Sequence, residues 1–300
     1  MMLSTLCIIF RCFYNRTVFL VFLLLLTNCS TVRLQKKGKV IPLDYTSEVT
    51  FKTNKQLIIL SGNLNGTNKD FIFDTGADYS LIQRDSLIGI KGRYKGASKR
   101  KMKLGSEYIN SLKIGRVDYQ NTYSLNGNLV GLKEHFENFG GIIGQPIISK
   151  SNWLLNYPER KITISNKNLI DNSFTKIKLT RVKGAPYTFL SFDNKLYRVI
   201  IDLGSSSDFN VPENTELASY LLKTYDFKVS KRERYTLGGS QIITEKIGII
   251  PLIKLGGFEF KNVKTSINVS SQIRLGIGFF RDFMIYIDNS EKQIHLKHTN

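Results

Sequence analysis

One short pattern occurs twice in the chain and restricts what it can fold into. Phe71-Ile72-Phe73-Asp74-Thr75-Gly76-Ala77 returns as Val199-Ile200-Ile201-Asp202-Leu203-Gly204-Ser205. In each copy three apolar residues run into Asp-x-Gly, the order of a buried strand that ends by presenting a carboxylate on a tight loop. A second block follows each copy: Leu112-Lys113-Ile114-Gly115 and Ile253-Lys254-Leu255-Gly256, each reading as a strand that runs into a Gly turn and a further strand. A third pairs Gly141-Ile142-Ile143-Gly144, ahead of Trp153-Leu154-Leu155, with Gly276-Ile277-Gly278, ahead of Phe283-Met284-Ile285-Tyr286-Ile287. Blocks that keep their order imply a duplicated all-β unit. Two carboxylates from two similar halves could then share one water.

Composition agrees with strands. The 300 residues include 19 Phe, 14 Tyr and 23 Gly but only 6 Pro, and short β-branched runs are cut by turn-forming pairs. Asn65-Gly66 and Asn126-Gly127 are predicted turns, and Gly238-Gly239 a hairpin tip. The best helical pattern runs from Glu213 to Lys223, where a short surface helix would follow the second Asp loop.

The amino terminus reads as a targeting segment. Arg11 and Arg16 precede an apolar run, Val18 to Leu26, too short for a membrane span and suited to a signal peptide. Leu26-Thr27-Asn28-Cys29 resembles a lipobox, so Cys29 is the expected site of lipidation, giving a membrane lipoprotein carrying acyl chains such as palmitate. Ser30 after Cys29 resembles outer-membrane sorting, so the expected location is the cell envelope, on the periplasmic or surface side. The expected organisation is a signal peptide at 1–28, the lipidated Cys and a polar tether at 29–47, an N-terminal β lobe at 48–170 and a C-terminal β lobe at 171–300. Cys7, Cys12 and Cys29 are the only cysteines, so the cleaved chain has no disulfide, thiol nucleophile or Cys metal site. The net charge of +19 reads as a solvated basic face rather than a nucleic-acid surface, because no stacking aromatics interleave with the Lys99–Lys103 cluster.

The duplicated Asp-x-Gly loops and the Gly-apolar-Gly blocks resemble the pepsin-like aspartic peptidases, and Asp74-Thr75-Gly76-Ala77 is similar to the retroviral type. The resemblance covers roughly residues 50 to 297. It implies a bilobal pepsin-like fold of two related β-barrel lobes with few short helices. It implies Asp74 and Asp202 as catalytic residues, with Thr75, Gly76, Ala77, Gly204 and Ser205 supporting their loops; Ser205 is expected to add a hydrogen bond to its Asp. In the family the hydroxyl after each Asp locks the two loops together across the lobes. Thr75 supplies one; Leu203 cannot. A covering hairpin is expected between about Tyr94 and Ser111, tipped near Gly105 and Ser106. Tyr108 is a candidate flap aromatic or an ordinary surface or core residue.

Two facing carboxylates repel and retain one proton between them, making one an acid and the other a base. The expected activity is therefore an aspartic-type endopeptidase, a monomeric hydrolase acting on polypeptide substrate with no cofactor and no metal. His135, His295 and His298 show no ligand spacing. Two other readings stay open: a catalytically degenerate, peptide-binding lipoprotein in which Leu203 has cost activity, and an enzyme in which Asp74 lobes pair between two chains.

Overall fold

The computed structural model describes residues 33–96, 101–182, 184–236 and 239–299. The predicted signal segment and Cys29 lie outside them. The protein is all-β, with strand in nearly every described segment. Seven strands of the first half are β1 (Leu57–Leu64), β2 (Thr67–Phe73), β3 (Ser80–Gln83), β4 (Gly92–Lys95), β5 (Lys101–Ile109), β6 (Thr122–Gly127) and β7 (Phe139–Ile143). Seven of the second half are β8 (Ala185–Phe192), β9 (Lys195–Asp202), β10 (Phe209–Pro212), β11 (Phe227–Thr236), β12 (Gly239–Leu255), β13 (Phe258–Asn268) and β14 (Arg274–Gly276).

The first set lies side by side as β1-β2-β7-β3-β6-β5-β4 and the second as β8-β9-β14-β10-β13-β12-β11. Pairing directions also match: β2–β7 and β9–β14 are parallel, β7–β3 and β14–β10 antiparallel, β3–β6 and β10–β13 parallel. The duplication read in the sequence is thus a duplication of sheet topology. Gly115 and Gly256 make equivalent turns, at φ of 58° and 55°, as their blocks predict.

A third sheet takes strands from both halves, in the order Thr175–Ile177, Gln293–His298, Phe283–Asp288, Asn152–Asn156, Lys161–Ser165 and Thr46–Thr50. At its centre Trp153 lies opposite Ile287, so the two blocks that follow the glycines pair directly with each other. Trp153 is fully buried, 5.1 Å from the ring of Phe73, and its indole N–H donates to the Ile148 carbonyl at 2.8 Å. That contact fixes the foot of β2 on the shared sheet.

The apolar triplets are buried on both strand faces, which explains why they do not alternate with polar residues. Phe71 and Phe73 point into the main core, whereas Ile72 joins a second cluster with Ile59, Leu81, Leu104, Leu125 and Ile142. Short helices interrupt the strands, among them α1 (Val130–Lys133), α2 (Gln145–Ile148) and α3 (Glu216–Thr224). α3 starts slightly later than the periodicity predicts, because Thr215 caps it by accepting from the Ala218 N–H at 3.2 Å.

Two turn predictions hold and one fails. Asn65 and Gly66 form a turn, both at positive φ, and Gly239 opens β12 at φ of 101°, next to Gly238, which lies outside the described residues. Asn126-Gly127 instead ends β6, fully buried. The Asn126 amide accepts from the Ile88 N–H at 2.9 Å and donates to the Ile88 carbonyl at 3.2 Å. It behaves there as an extra peptide group, so its partner is a strand-like neighbour and no turn is needed.

The segment expected as a free tether up to residue 47 is docked instead. Gln35 is buried and donates to the Asp78 carbonyl at 2.7 Å, Lys39–Ile41 pairs with Val117–Gln120, and Thr46–Thr50 enters the shared sheet. Among the described residues no helix is long and apolar enough to cross a membrane.

Candidate active site

Asp74 follows β2 and Asp202 ends β9, so equivalent strands deliver the two carboxylates from opposite sides. The Gly76 N–H donates to Asp74 Oδ1 at 2.8 Å, and the Gly204 N–H donates to Asp202 Oδ1 at 3.0 Å. A Cβ on Gly76 would lie 2.7 Å from the Asp202 carboxyl carbon, and one on Gly204 would fall even closer to that of Asp74. Neither glycine has a positive φ. Glycine is required here for room: each loop's glycine lies under the other loop's carboxylate.

The two carboxyl groups hydrogen-bond each other, and Asp202 is buried while Asp74 keeps a partly exposed surface. Burial, then the charge of Asp202, then the hydrogen bond to it hold Asp74 well above the usual carboxylate range; the Arg274 guanidinium and the Gly76 N–H pull it the other way without prevailing. Arg274 Nη1 lies 2.9 Å from Asp202 Oδ2. Arg274 thus lies against Asp202 and favours negative charge on the pair.

Thr75 acts as the lock for both loops. Its buried hydroxyl donates to the Ile201 carbonyl at 2.8 Å and accepts from the Leu203 N–H at 2.9 Å. Leu203 returns no such bond; its side chain is fully buried in the main core. The first loop is braced from another direction, because Gln145 Nε2 donates to the Thr75 carbonyl at 2.7 Å. Gln145 follows Gly144 as Ile277 follows Gly276, and the two backbone N–H groups make matching bonds, to Ala77 at 3.0 Å and Ser205 at 2.9 Å. A polar pair, Thr75 and Gln145, is thus matched by an apolar one, Leu203 and Ile277. The Ser205 hydroxyl pairs with that of Ser207 at 2.9 Å rather than serving Asp202.

These bonds correct the register of the third repeat block. Gly144 corresponds to Gly276, so Ile142-Ile143-Gly144 is matched by Arg274-Leu275-Gly276 and not by Gly276-Ile277-Gly278. With this register the strand pairings set Ile142 against Arg274, Leu81 against Asn210, Leu125 against Ser266, Leu104 against Glu245 and Tyr94 against Arg232. What is an apolar cluster in the first half is a polar layer in the second, hydrogen-bonded around Glu245. Arg232 Nε donates to Glu245 at 2.6 Å, and Glu245, itself buried, accepts from Ser266 at 2.5 Å and Asn268 at 3.4 Å.

The expected hairpin exists as β4 and β5, but its tip lies between them, where residues 97–100 are outside those described. Gly105 and Ser106 are in mid-strand, opposite Asn126 and Leu125. Tyr108 is half exposed and packs edge-on to Tyr123, which also meets Tyr79; Tyr79 in turn packs on Tyr94. Burial and the neighbouring Tyr123 phenol push Tyr94 up to about 12. This gives the first half an aromatic wall.

A second, longer hairpin, β11 and β12, reaches from the second half onto the first. Gly239 abuts Gly131 of α1 so closely that a side chain on Gly131 would strike the Gly239 backbone. The Tyr235 ring lies 3.7 Å from that of His135 and 3.7 Å beneath the Lys55 ammonium. Arg274, Glu245, Gln145 and the hairpin's reach onto the first half do not stand out in the sequence. The available signal is Arg274-Leu275-Gly276 itself, whose Arg hides the match to Ile142-Ile143-Gly144.

No protein-family model matches the chain, and no curated protein matches it significantly.

Proposed function

We propose that the protein is an aspartic endopeptidase that hydrolyses peptide bonds through a water held between Asp74 and Asp202. The observation that carries this reading is the mutual seating of the two loops, each glycine under the opposite carboxylate. The matched strand orders of the two halves support it, since the pepsin-like resemblance implies two related β lobes. In the resting site Asp74 is the acid and the charge rests on Asp202. The water gives a proton to Asp202 as its oxygen bonds the peptide carbonyl carbon, while Asp74 donates a hydrogen bond to the carbonyl oxygen as it becomes negative. Collapse of that intermediate breaks the C–N bond, and the departing nitrogen takes a proton from the pair. Substrate would lie extended between the dyad and the β11–β12 hairpin, bonded to strand edges. On this reading the enzyme is exported and held in the cell envelope through Cys29.

One observation favours a second reading, a peptide-binding protein without hydrolysis: Arg274 contacts Asp202 directly and competes for the lone pair that the water must use. Pairing of Asp74 lobes between chains has less to support it, since Asp74 already faces a carboxylate of its own chain. The test is cleavage of a peptide library by the purified protein and by its Asp74→Asn and Asp202→Asn variants from acidic to neutral pH. The proposal expects cleavage by the parent and none by either variant. Binding without cleavage by the folded parent would establish the second reading, and full activity in Asp202→Asn would move the chemistry to paired chains.

A further inference from the structure

Three neighbouring guanidinium groups, Arg274, Arg232 and Arg234, stand in the second half, and only two of them have a carboxylate partner. Arg274 is paired with Asp202, and Arg232 with Glu245. That leaves Arg234, two residues along β11 from Arg232 and therefore on the same strand face, turned away from Tyr235 on the first half. Arg234 is partly buried and makes no ion pair or hydrogen bond among the described residues. Burial lowers its affinity for its proton, and the nearby charges of Arg274 and Arg232 add to that, while Asp202 and Glu245 oppose it. Arg232, on the same face, holds Glu245, whose partner Ser266 pairs with Asn210 beside Arg274, so one polar layer runs from β11 to Asp202. Close by, Arg274 Nε is a buried donor with no partner among the described residues. A partly buried guanidinium near two others and an unused donor is suited to an anion.

We infer that this face of the cleft is a subsite for a substrate carboxylate, selecting peptides that carry an acidic group beside the bond to be cut. The inference rests on the peptidase reading and adds the substrate class. The hairpin that carries Arg234 also reaches the first half, because Tyr235, one residue on, is clasped between His135 and Lys55. Arg234 and that contact thus occupy adjacent positions on opposite faces of one strand. The carboxylate could belong to a Glu or Asp side chain or to a chain terminus.

The test compares three peptide sets: end-capped peptides with one internal Glu, end-capped neutral peptides, and neutral peptides with a free C-terminus. Cleavage is followed with the parent, Arg234→Gln and Arg234→Glu, and binding with the same Arg234 changes made in Asp74→Asn. The parent is expected to prefer one carboxylate-bearing set through KM, by about tenfold to a hundredfold, the range of a charged hydrogen bond. Arg234→Gln should erase that preference, and Arg234→Glu should turn it toward peptides bearing Lys. Preference for the internal-Glu set identifies a side chain, and preference for the free-terminus set identifies a chain end. Cleavage without acidic preference, or a preference that survives Arg234→Glu, would overturn the inference and leave the dyad reading standing. If nothing is cut, the peptidase reading fails, and the binding series decides: carboxylate-selective binding lost in Arg234→Gln upholds the subsite, and unselective binding rejects it.

Discussion

The two halves share a strand order and even a register, yet they divide the labour of one site unequally. In the first half the layer beside the Asp loop is Ile142, Leu81, Leu125, Leu104 and Tyr94; in the second the same positions hold Arg274, Asn210, Ser266, Glu245 and Arg232. The first half supplies the lock, since Thr75 serves both loops and Gln145 braces its own. The second half supplies charge. A duplicated backbone can thus keep its geometry while one copy specialises in rigidity and the other in electrostatics, provided each lost bond is met from elsewhere. Leu203 illustrates this: with no hydroxyl, it is buried as core and receives its loop's cross-link from the opposite half.

The largest expected effect falls on the point where the halves touch. Gly204→Ala sets a Cβ against the Asp74 carboxyl group, and a displacement of about 1 Å at reacting groups costs roughly 10²-fold or more in rate. Cleavage should fall by at least that factor, while the exposed turn change Gly66→Ala, which meets no neighbouring atom, should leave the rate unaltered. Equal effects would mean that the glycines do not seat the carboxylates.

Next come the residues after each Asp. Leu203→Ala should cost about 2–5 kcal/mol in urea unfolding, as a truncated core leucine does. Thr75→Val keeps the shape but strands the Ile201 carbonyl and the Leu203 N–H, at about 1–3 kcal/mol for each buried group. The unequal division predicts that Thr75→Val lowers kcat more than its stability loss explains, and that Leu203→Ala does the reverse.

Removing the charge gives a smaller but more diagnostic change. Arg274 opposes the upward displacement of Asp74, so Arg274→Met should raise Asp74 further. The alkaline limb of the rate profile, where Asp74 loses its proton, should move up by about 1–3 pH units, the range for an adjacent opposite charge. The corresponding Ile142→Met in the first half should leave the profile in place.

The smallest effect is on stability. Asp74 has a folded-state pKa above 3.8, its ordinary value, so the folded state holds the proton more tightly than the unfolded one. That contribution is present in acid and is lost as pH rises from about 3.8 through the raised folded value. Asp74→Asn removes the loss. Its melting temperature should exceed the parent's by a margin that widens with pH, equivalent to about 1.4 kcal/mol for each pH unit separating the two values.

The strands, the duplication and both aspartates are legible in the sequence, because identical turn glycines and apolar triplets survive in each copy. Gly115 and Gly256 make the turns that their blocks predict. What stays hidden is whatever differs between copies. Arg274 replaces Ile142, so the repeat can be matched only one glycine out of register, and the polar layer built around it becomes invisible. Asn126 imitates a peptide group, which no local propensity reveals. The role of Gly76 and Gly204 is half legible: glycine announces a tight place, but only the assembled halves show that the obstacle is the opposite carboxylate.

Carbon-13 NMR titration of the Asp74 carboxyl group, assigned by comparison with Asp74→Asn, tests most directly whether the two halves build one proton-sharing site. A carboxyl that stays protonated well above the usual carboxylate range, and titrates lower in Asp202→Asn while burial still holds it above that range, is the predicted result. Titration at the ordinary carboxylate value, unaffected by Asp202→Asn, would mean that the two aspartates act independently and that no shared-proton dyad exists.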